Sequence, residues 1–241
     1  MILLLAIPLA GCGRTSPQPP VATRHDAAHP GSPPAGAAAP TFAAQVAAVR
    51  DGSGTRVAAT TPPAPLEWES LRGLAGLREL VLDGGGAADL EAGIIATLPG
   101  LERLVARQCP IGDEGFRRLA ACRSLRDLNV PQAACTAAGV RALVPLENLR
   151  SLRLGGPGLA GPEVCEAVIA LPRLRSLHLI DVPIGDAGLA VLGRLPGLWN
   201  LYLDGAGVSD AAWAGYFEAC PTVHVHVDQA HHDRDPRGRD H

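Results

Sequence analysis

The sequence predicts an α/β solenoid, with short parallel strands lining a curved concave face and short helices on the convex face behind them. Three observations lead there. Leucine recurs at Leu77, Leu101, Leu125, Leu149, Leu174 and Leu198, a period of 24 residues with a single step of 25. Each of these opens the pattern L-x-x-L-x-L, so position four reads Leu80, Leu104, Leu128, Leu152, Leu177, Leu201, Val225 and position six Leu82, Ala106, Val130, Leu154, Leu179, Leu203, Val227. A helix-spaced column, Leu71, Ile95, Leu119, Leu143, Val168, Leu192, keeps the same register. Apolar residues two apart mark a strand with one buried face, and the 3–4 spacing that follows a Gly/Asp turn marks a helix. One such unit is too small to bury its own apolar face, so it requires copies on both sides. A degenerate last copy begins at Thr222.

This consensus and period resemble the leucine-rich repeat, over residues 66–228. The resemblance implies a non-catalytic scaffold that presents its concave face to a protein partner. Two departures stand out. The column that holds Asn, Cys or Thr in the family reads Gly85, Cys109, Ala133, Pro157, Val182 and Ala206, so its side-chain ladder is nearly absent and the turn amides and carbonyls must find other partners. The fourth repeat carries the extra residue and two prolines, and its helix is expected to start after Pro162.

Residues 1–12, MILLLAIPLAGC, end in Leu9-Ala10-Gly11-Cys12 and resemble a bacterial lipoprotein signal, although the usual basic residues are missing upstream and the apolar run is short. The resemblance implies lipidation of Cys12, export and anchorage to the cell envelope; the alternative is a cytoplasmic protein with an accidental match. The run is too short to span a membrane, which takes about 20 apolar residues. Residues 13–40 are rich in Pro, Ala, Gly and Ser and are expected to form a disordered tether. Residues 41–65 are expected to cap the open N-terminal end of the stack. Phe42, Val46 and Val49 share a helical face there, Thr41 is placed to cap it, and GTRVAAT is a candidate irregular strand. The tail, 229–241, is polar and expected to be disordered, with histidines that could bind metal only adventitiously.

The apolar content is 47% and the aromatic content 3%, as an aliphatic repeat core requires. All 21 basic residues are Arg, which excludes P-loop lysine, Schiff-base and Ser-Lys chemistry. A net charge of −3 gives no electrostatic case for nucleic acid. Asp113, Glu114 and Asp186 lie in the repeated motifs IGDEG and IGDAG, at a helix start where Asp is favoured, so they are not read as a catalytic carboxylate site. No GxSxG or HExxH occurs. Cys109, Cys122, Cys135, Cys165 and Cys220 match no paired metal spacing and are expected as free thiols serving as small hydrophobes. Trp68 and Trp213 occupy one helix column at opposite ends of the stack, the place for core plugs.

Function therefore falls to strand positions three and five, which alternation turns toward the concave surface. Position three reads Glu79, Arg103, Asp127, Ser151, Ser176, Asn200, His224 and position five Val81, Val105, Asn129, Arg153, His178, Tyr202, His226. The next exposed column ends in Asp204 and Asp228. The expected partner-binding patch is centred on His178, Tyr202 and His226, with Asn200, His224, Asp204 and Asp228 as its polar border. The chain is expected to be a monomer that needs no cofactor and no metal and binds a protein. Two other functions fit less well: an intracellular adaptor of ubiquitin-ligase type, which needs an F-box-like module, and a metal- or small-ligand-binding surface built on the concave histidines.

Overall fold

The structure is a computed structural model and describes residues 39–235. The signal, Cys12 and all but the last two residues of the expected tether lie outside the described residues, as do residues 236–241. Eight parallel strands follow one another in chain order, β1 (Arg56–Ala59), β2 (Glu79–Leu82), β3 (Arg103–Ala106), β4 (Asp127–Val130), β5 (Ser151–Gly155), β6 (Ser176–Ile180), β7 (Asn200–Asp204) and β8 (His224–Val227). A ninth, β9 (Ala230–His231), pairs antiparallel to β8. Helices α1 (Phe42–Arg50), α2 (Pro65–Leu71), α3 (Asp89–Ile95), α4 (Asp113–Leu119), α5 (Ala137–Ala142), α6 (Gly161–Val168), α7 (Gly185–Leu192) and α8 (Asp210–Ala219) alternate with them. This is the leucine-rich-repeat solenoid. Strands stack about 4.8 Å apart while packed helices need about 8–10 Å, so the strand side of such a stack is the inner, concave one.

Pairing keeps the repeat register: Leu80 faces Leu104, Leu128 faces Leu152, and Leu177 faces Leu201. Positions one and four are buried from Leu77 to Leu198 and from Leu80 to Val225, as are the helix residues Leu71 to Leu192. Trp68 and Trp213 are buried too, each filling volume at an end of the stack. The last repeat closes differently, with Thr222 exposed and Val223 buried beside it. At the other end Val46 and Val49 of α1 pack into the core, Thr41 Oγ1 accepts from the Ala44 amide, and Gln45 bonds both polar groups of Ala58 in β1. The segment read as an irregular strand is a regular one, matched to β2 over four residues. Helix α6 starts at Gly161, one residue before the proline expected to precede it, and the proline stands at its first turn.

The missing turn side chains are replaced by a ladder of aspartates on the helix side. Asp89 Oδ1 accepts from the Gly112 and Gly115 amides at 2.7 and 3.0 Å, which caps α4 from the repeat before it. Asp113 does the same for α5, accepting from the Thr136 amide, the Gly139 amide and the Thr136 hydroxyl. Asp186 caps α8 through the amide and hydroxyl of Ser209. These bonds stabilise the carboxylates and hold Asp113 and Asp186 below the usual carboxylate range. Gly115 of the I-G-D-E-G copy and Gly139, the matching residue one repeat on, now have a cause, whereas Gly188 of the I-G-D-A-G copy is confined by Ile184 and Cys165 instead. A Cβ on Gly115 would lie 2.6 Å from Asp89 Oδ1, and one on Gly139 would lie 2.5 Å from Asp113 Oδ1. Around the irregular fourth repeat the ladder breaks: α6 and α7 have no side-chain cap, and the Gly161 and Gly185 amides donate instead to the Pro183 and Ala206 carbonyls.

The tail corrects an expectation. From Asp228 the chain does not trail into solvent but reverses. Asp228 and Gln229 both have positive φ, 50° and 66°, the signature of a two-residue type I′ hairpin. Asp tolerates this region, and its Oδ1 accepts from the Gly205 amide, which holds the turn against the previous repeat. Residue pairs Val227–Ala230 and His226–His231 then align, and Asp235 finishes buried with Oδ2 accepting from the Val225 amide at 3.0 Å. The hairpin covers the edge that β8 would otherwise expose.

Candidate functional site

The two halves of the strand face differ in chemistry. On β1–β4, position three alternates Arg56, Glu79, Arg103, Asp127, and Glu79 pairs with both Arg56 and Arg103 at 3.3 Å. Asp83 pairs with Arg107 at the far ends of β2 and β3. Val81 and Val105, which alternation turned toward solvent, are 6% and 3% exposed. The ion pairs flank them on both sides, and the long side chains leave little of either valine for a partner. Ion pairs dominate this half, although Arg103 Nε and Asn129 Oδ1 are buried there without a hydrogen bond.

The C-terminal half carries rings. His178, Tyr202 and His226 stand opposite one another at position five of β6, β7 and β8. Their ring centroids are 5.3 and 4.8 Å apart, tilted by 33° and 30°. His178 Nε2 lies 2.9 Å from Asp204 Oδ2, while Asp204 Oδ1 accepts from the Gln229 amide, so this carboxylate ties the ring to the hairpin turn. Burial pulls the His178 pKa down against the opposing pull of Asp204, and Arg153 lowers it further. The ring is therefore neutral at pH 7, with Nε2 donating to the carboxylate and Nδ1 left as an acceptor. Burial also raises the Tyr202 phenol, which stays a hydroxyl donor.

The expected border residues prove to have structural duties. Asp204 and Asp228 both accept backbone amides at the hairpin, while Asn200 is half-buried at position three beside His224. His226 is a correction: strand alternation turns it outward, but it is only 8% exposed, because the ring of His231 on β9 lies 4.1 Å from its own. His224 points to the same face. Its Nε2 is 2.8 Å from His226 Nε2, and its Nδ1 is 2.7 Å from Asp235 Oδ2, whose side chain is fully buried.

Sequence reasoning missed three members of this end of the molecule. Trp199, at the entry to β7, is 62% exposed with the Arg175 guanidinium 5.5 Å from its ring centroid. A large aromatic in a column otherwise held by Arg78, Glu102, Arg126, Arg150 and Arg175 was the available signal. His231 and the buried Asp235 join this end of the sheet through a hairpin whose Asp-Gln turn lacks the glycine that usually announces one. The cysteines are free among the described residues: Cys109, Cys122, Cys135 and Cys165 are buried, and Cys220 is partly so. Burial pushes Cys122 up to about 11 and Cys135 and Cys165 up to about 12, so these thiols carry no thiolate at neutral pH.

Comparison with known proteins adds little to this geometry. No protein-family model matches the sequence, and no curated protein matches it. Among solved structures the chain is similar to an internalin (inlF) from Listeria monocytogenes, with 16% identity and a TM-score of 0.46. The match covers 71% of this chain and 59% of the internalin, so the chain spans less than two thirds of that protein's length.

Proposed function

We propose that this protein is a non-catalytic scaffold, exported and lipid-anchored at Cys12, that binds a protein partner on the C-terminal half of its strand face. The observation that carries the binding reading is the row of rings His178–Tyr202–His226 on adjacent strands, of which the partly exposed His178 and Tyr202 are open to a partner and the buried His226 backs them. Rings fixed on rigid strands lose little freedom on binding, and Tyr is enriched among residues that dominate interface energy. The N-terminal half makes a contrasting surface, with Glu79 paired to Arg56 and Arg103 and Asp83 to Arg107. Against catalysis stands the chemistry of the candidate nucleophiles, since the buried thiols are held protonated. For the anchor, the support is the Leu9-Ala10-Gly11-Cys12 match and the Pro/Ala-rich segment after it, a composition suited to spacing a domain from a surface.

One experiment tests both halves. A photoreactive benzophenone residue is placed at position 202 or, as a control, at exposed position 107 in the full chain expressed in a bacterium. Position 202 gives a discrete adduct in the membrane fraction, position 107 gives none, and Cys12→Ala moves the protein to the soluble fraction. Adducts from position 107 alone contradict the surface assignment. Unchanged membrane partition of Cys12→Ala contradicts the anchor.

A further inference from the structure

We infer that the C-terminal hairpin is a transition-metal site, with His224, His226 and His231 binding Zn²⁺ and Asp235 orienting His224 from behind. This does not rest on the partner-binding reading. The argument starts from the hairpin. His226 and His231 are directly paired across β8 and β9, which puts their side chains on one face, and His224 lies two residues along β8 on that same face. One nitrogen of each ring falls within 4.8 Å of the others. Zinc takes imidazole nitrogens at about 2.0–2.1 Å in tetrahedral array, which sets ligand nitrogens about 3.3 Å apart. The observed 2.8 Å between His224 Nε2 and His226 Nε2 needs only small ring rotations to reach that.

The second observation is the buried carboxylate. Asp235 side-chain exposure is 0%, and its Oδ2 sits 2.7 Å from His224 Nδ1. The contact is an ion-pair approach rather than an aligned hydrogen bond; a small turn of the ring would aim an Nδ1 proton at the carboxylate and leave the Nε2 lone pair for the cluster. Carboxylate–histidine pairs behind a metal do this work: they fix tautomer and ring orientation and raise ligand basicity. The same oxygen accepts the Val225 amide, so Asp235 is tied to the strand that carries two of the ligands. The neighbouring His232 is turned elsewhere, its ring packed 4.9 Å from that of Trp213 and 5.0 Å from that of Phe217. His178 belongs to Asp204. The thiols of Cys122, Cys135 and Cys165, buried and held protonated, are not competing ligands. A bound ion would join β9 to β8 and so clip the hairpin over the end of the repeat core.

The test uses the full chain, stripped with chelator, and titrated with Zn²⁺ against a competing indicator and with Co²⁺ by absorption. One equivalent of zinc binds tightly and raises Tm. Cobalt gives d–d bands of tetrahedral intensity without a thiolate charge-transfer band. His226→Ala and His231→Ala lose the site, Asp235→Asn weakens it about 10–100-fold, and His178→Ala and His232→Ala keep parental affinity. No tight equivalent in the parent overturns the proposal, as does a thiolate or octahedral cobalt spectrum. Parental affinity in both His226→Ala and His231→Ala, which would mark binding to other histidines of the tail, overturns it as well. The cobalt spectrum of the parent decides the case should a variant fail to fold.

Discussion

Leu128→Ala and Leu152→Ala each lower the unfolding free energy by about 2–5 kcal/mol, whereas Arg126→Ala stays within about 0.5 kcal/mol. Both leucines are 1% exposed, face each other across β4 and β5, and have repeats on either side. Truncation removes the transfer energy of the isobutyl group and leaves a void, because the flanking strands are fixed by their own ladders and cannot collapse into it. Arg126 sits two residues before Leu128, exposed, with only a 3.7 Å approach to Glu102. An exposed pair of that length adds little to stability. Denaturant melts of the three variants measure the difference, and equal losses at Leu128 and Arg126 would mean that the strand register is wrong.

The second large effect lies in the aspartate ladder. Asp113→Ala leaves the Thr136 cap of α5 but takes the carboxylate from the Thr136 and Gly139 amides, at a cost of about 1–2 kcal/mol. Gly139→Ala has two opposed terms. Alanine is favoured over glycine inside a helix by about 1 kcal/mol, but the new Cβ would lie 2.5 Å from Asp113 Oδ1 and 2.9 Å from Cys135 Cβ. Overpacking of that kind costs about 1–3 kcal/mol, so the substitution destabilises. The two residues touch, so their effects do not add: once the carboxylate is gone, Gly139→Ala costs less, and the double variant falls short of the sum by about 0.5 kcal/mol or more. A double-mutant cycle in urea measures this. A Gly139→Ala variant more stable than the parent, with additive behaviour, would remove the ladder as the reason for that glycine.

These two results mark the border between what sequence could and could not disclose. Leu128 and Leu152 were legible because burial repeats with the strand period, and a repeat stack has no freedom to bury any other column. The Asp113–Gly139 contact was not. Within one repeat, I-G-D-x-G looks local, an aspartate at the start of its own helix with a glycine two residues on. Its physical partner lies 26 residues away, on the next helix. Val81 and Val105 were misjudged for a related reason. Alternation says which way a side chain points, and says nothing of the arginines and glutamates on either side that cover it. His226 was judged exposed because the hairpin that buries it turns on Asp228 and Gln229, neither of which signals φ > 0 as glycine does. The polar composition after Val227 then looked like a solvated tail. Yet β9 and Asp235 supply two pieces of the candidate metal site, and the same strand borders the ring row.

That ring row is where binding is expected, and Tyr202→Ala tests it most directly. Tyr202 is half-buried between two imidazoles, with its phenol protonated, and it lies outside the hydrophobic core to which its strand neighbours Leu201 and Leu203 belong. The affinity of the parent and of Tyr202→Ala for the crosslinked partner is measured by titration, with thermal melts of both proteins in parallel. The expected result is a loss of about 2 kcal/mol in binding, near 30-fold in Kd, with Tm nearly unchanged. Parental affinity in Tyr202→Ala, together with weakened binding in Arg107→Ala, would place the partner on the ion-paired half of the sheet and contradict the assignment.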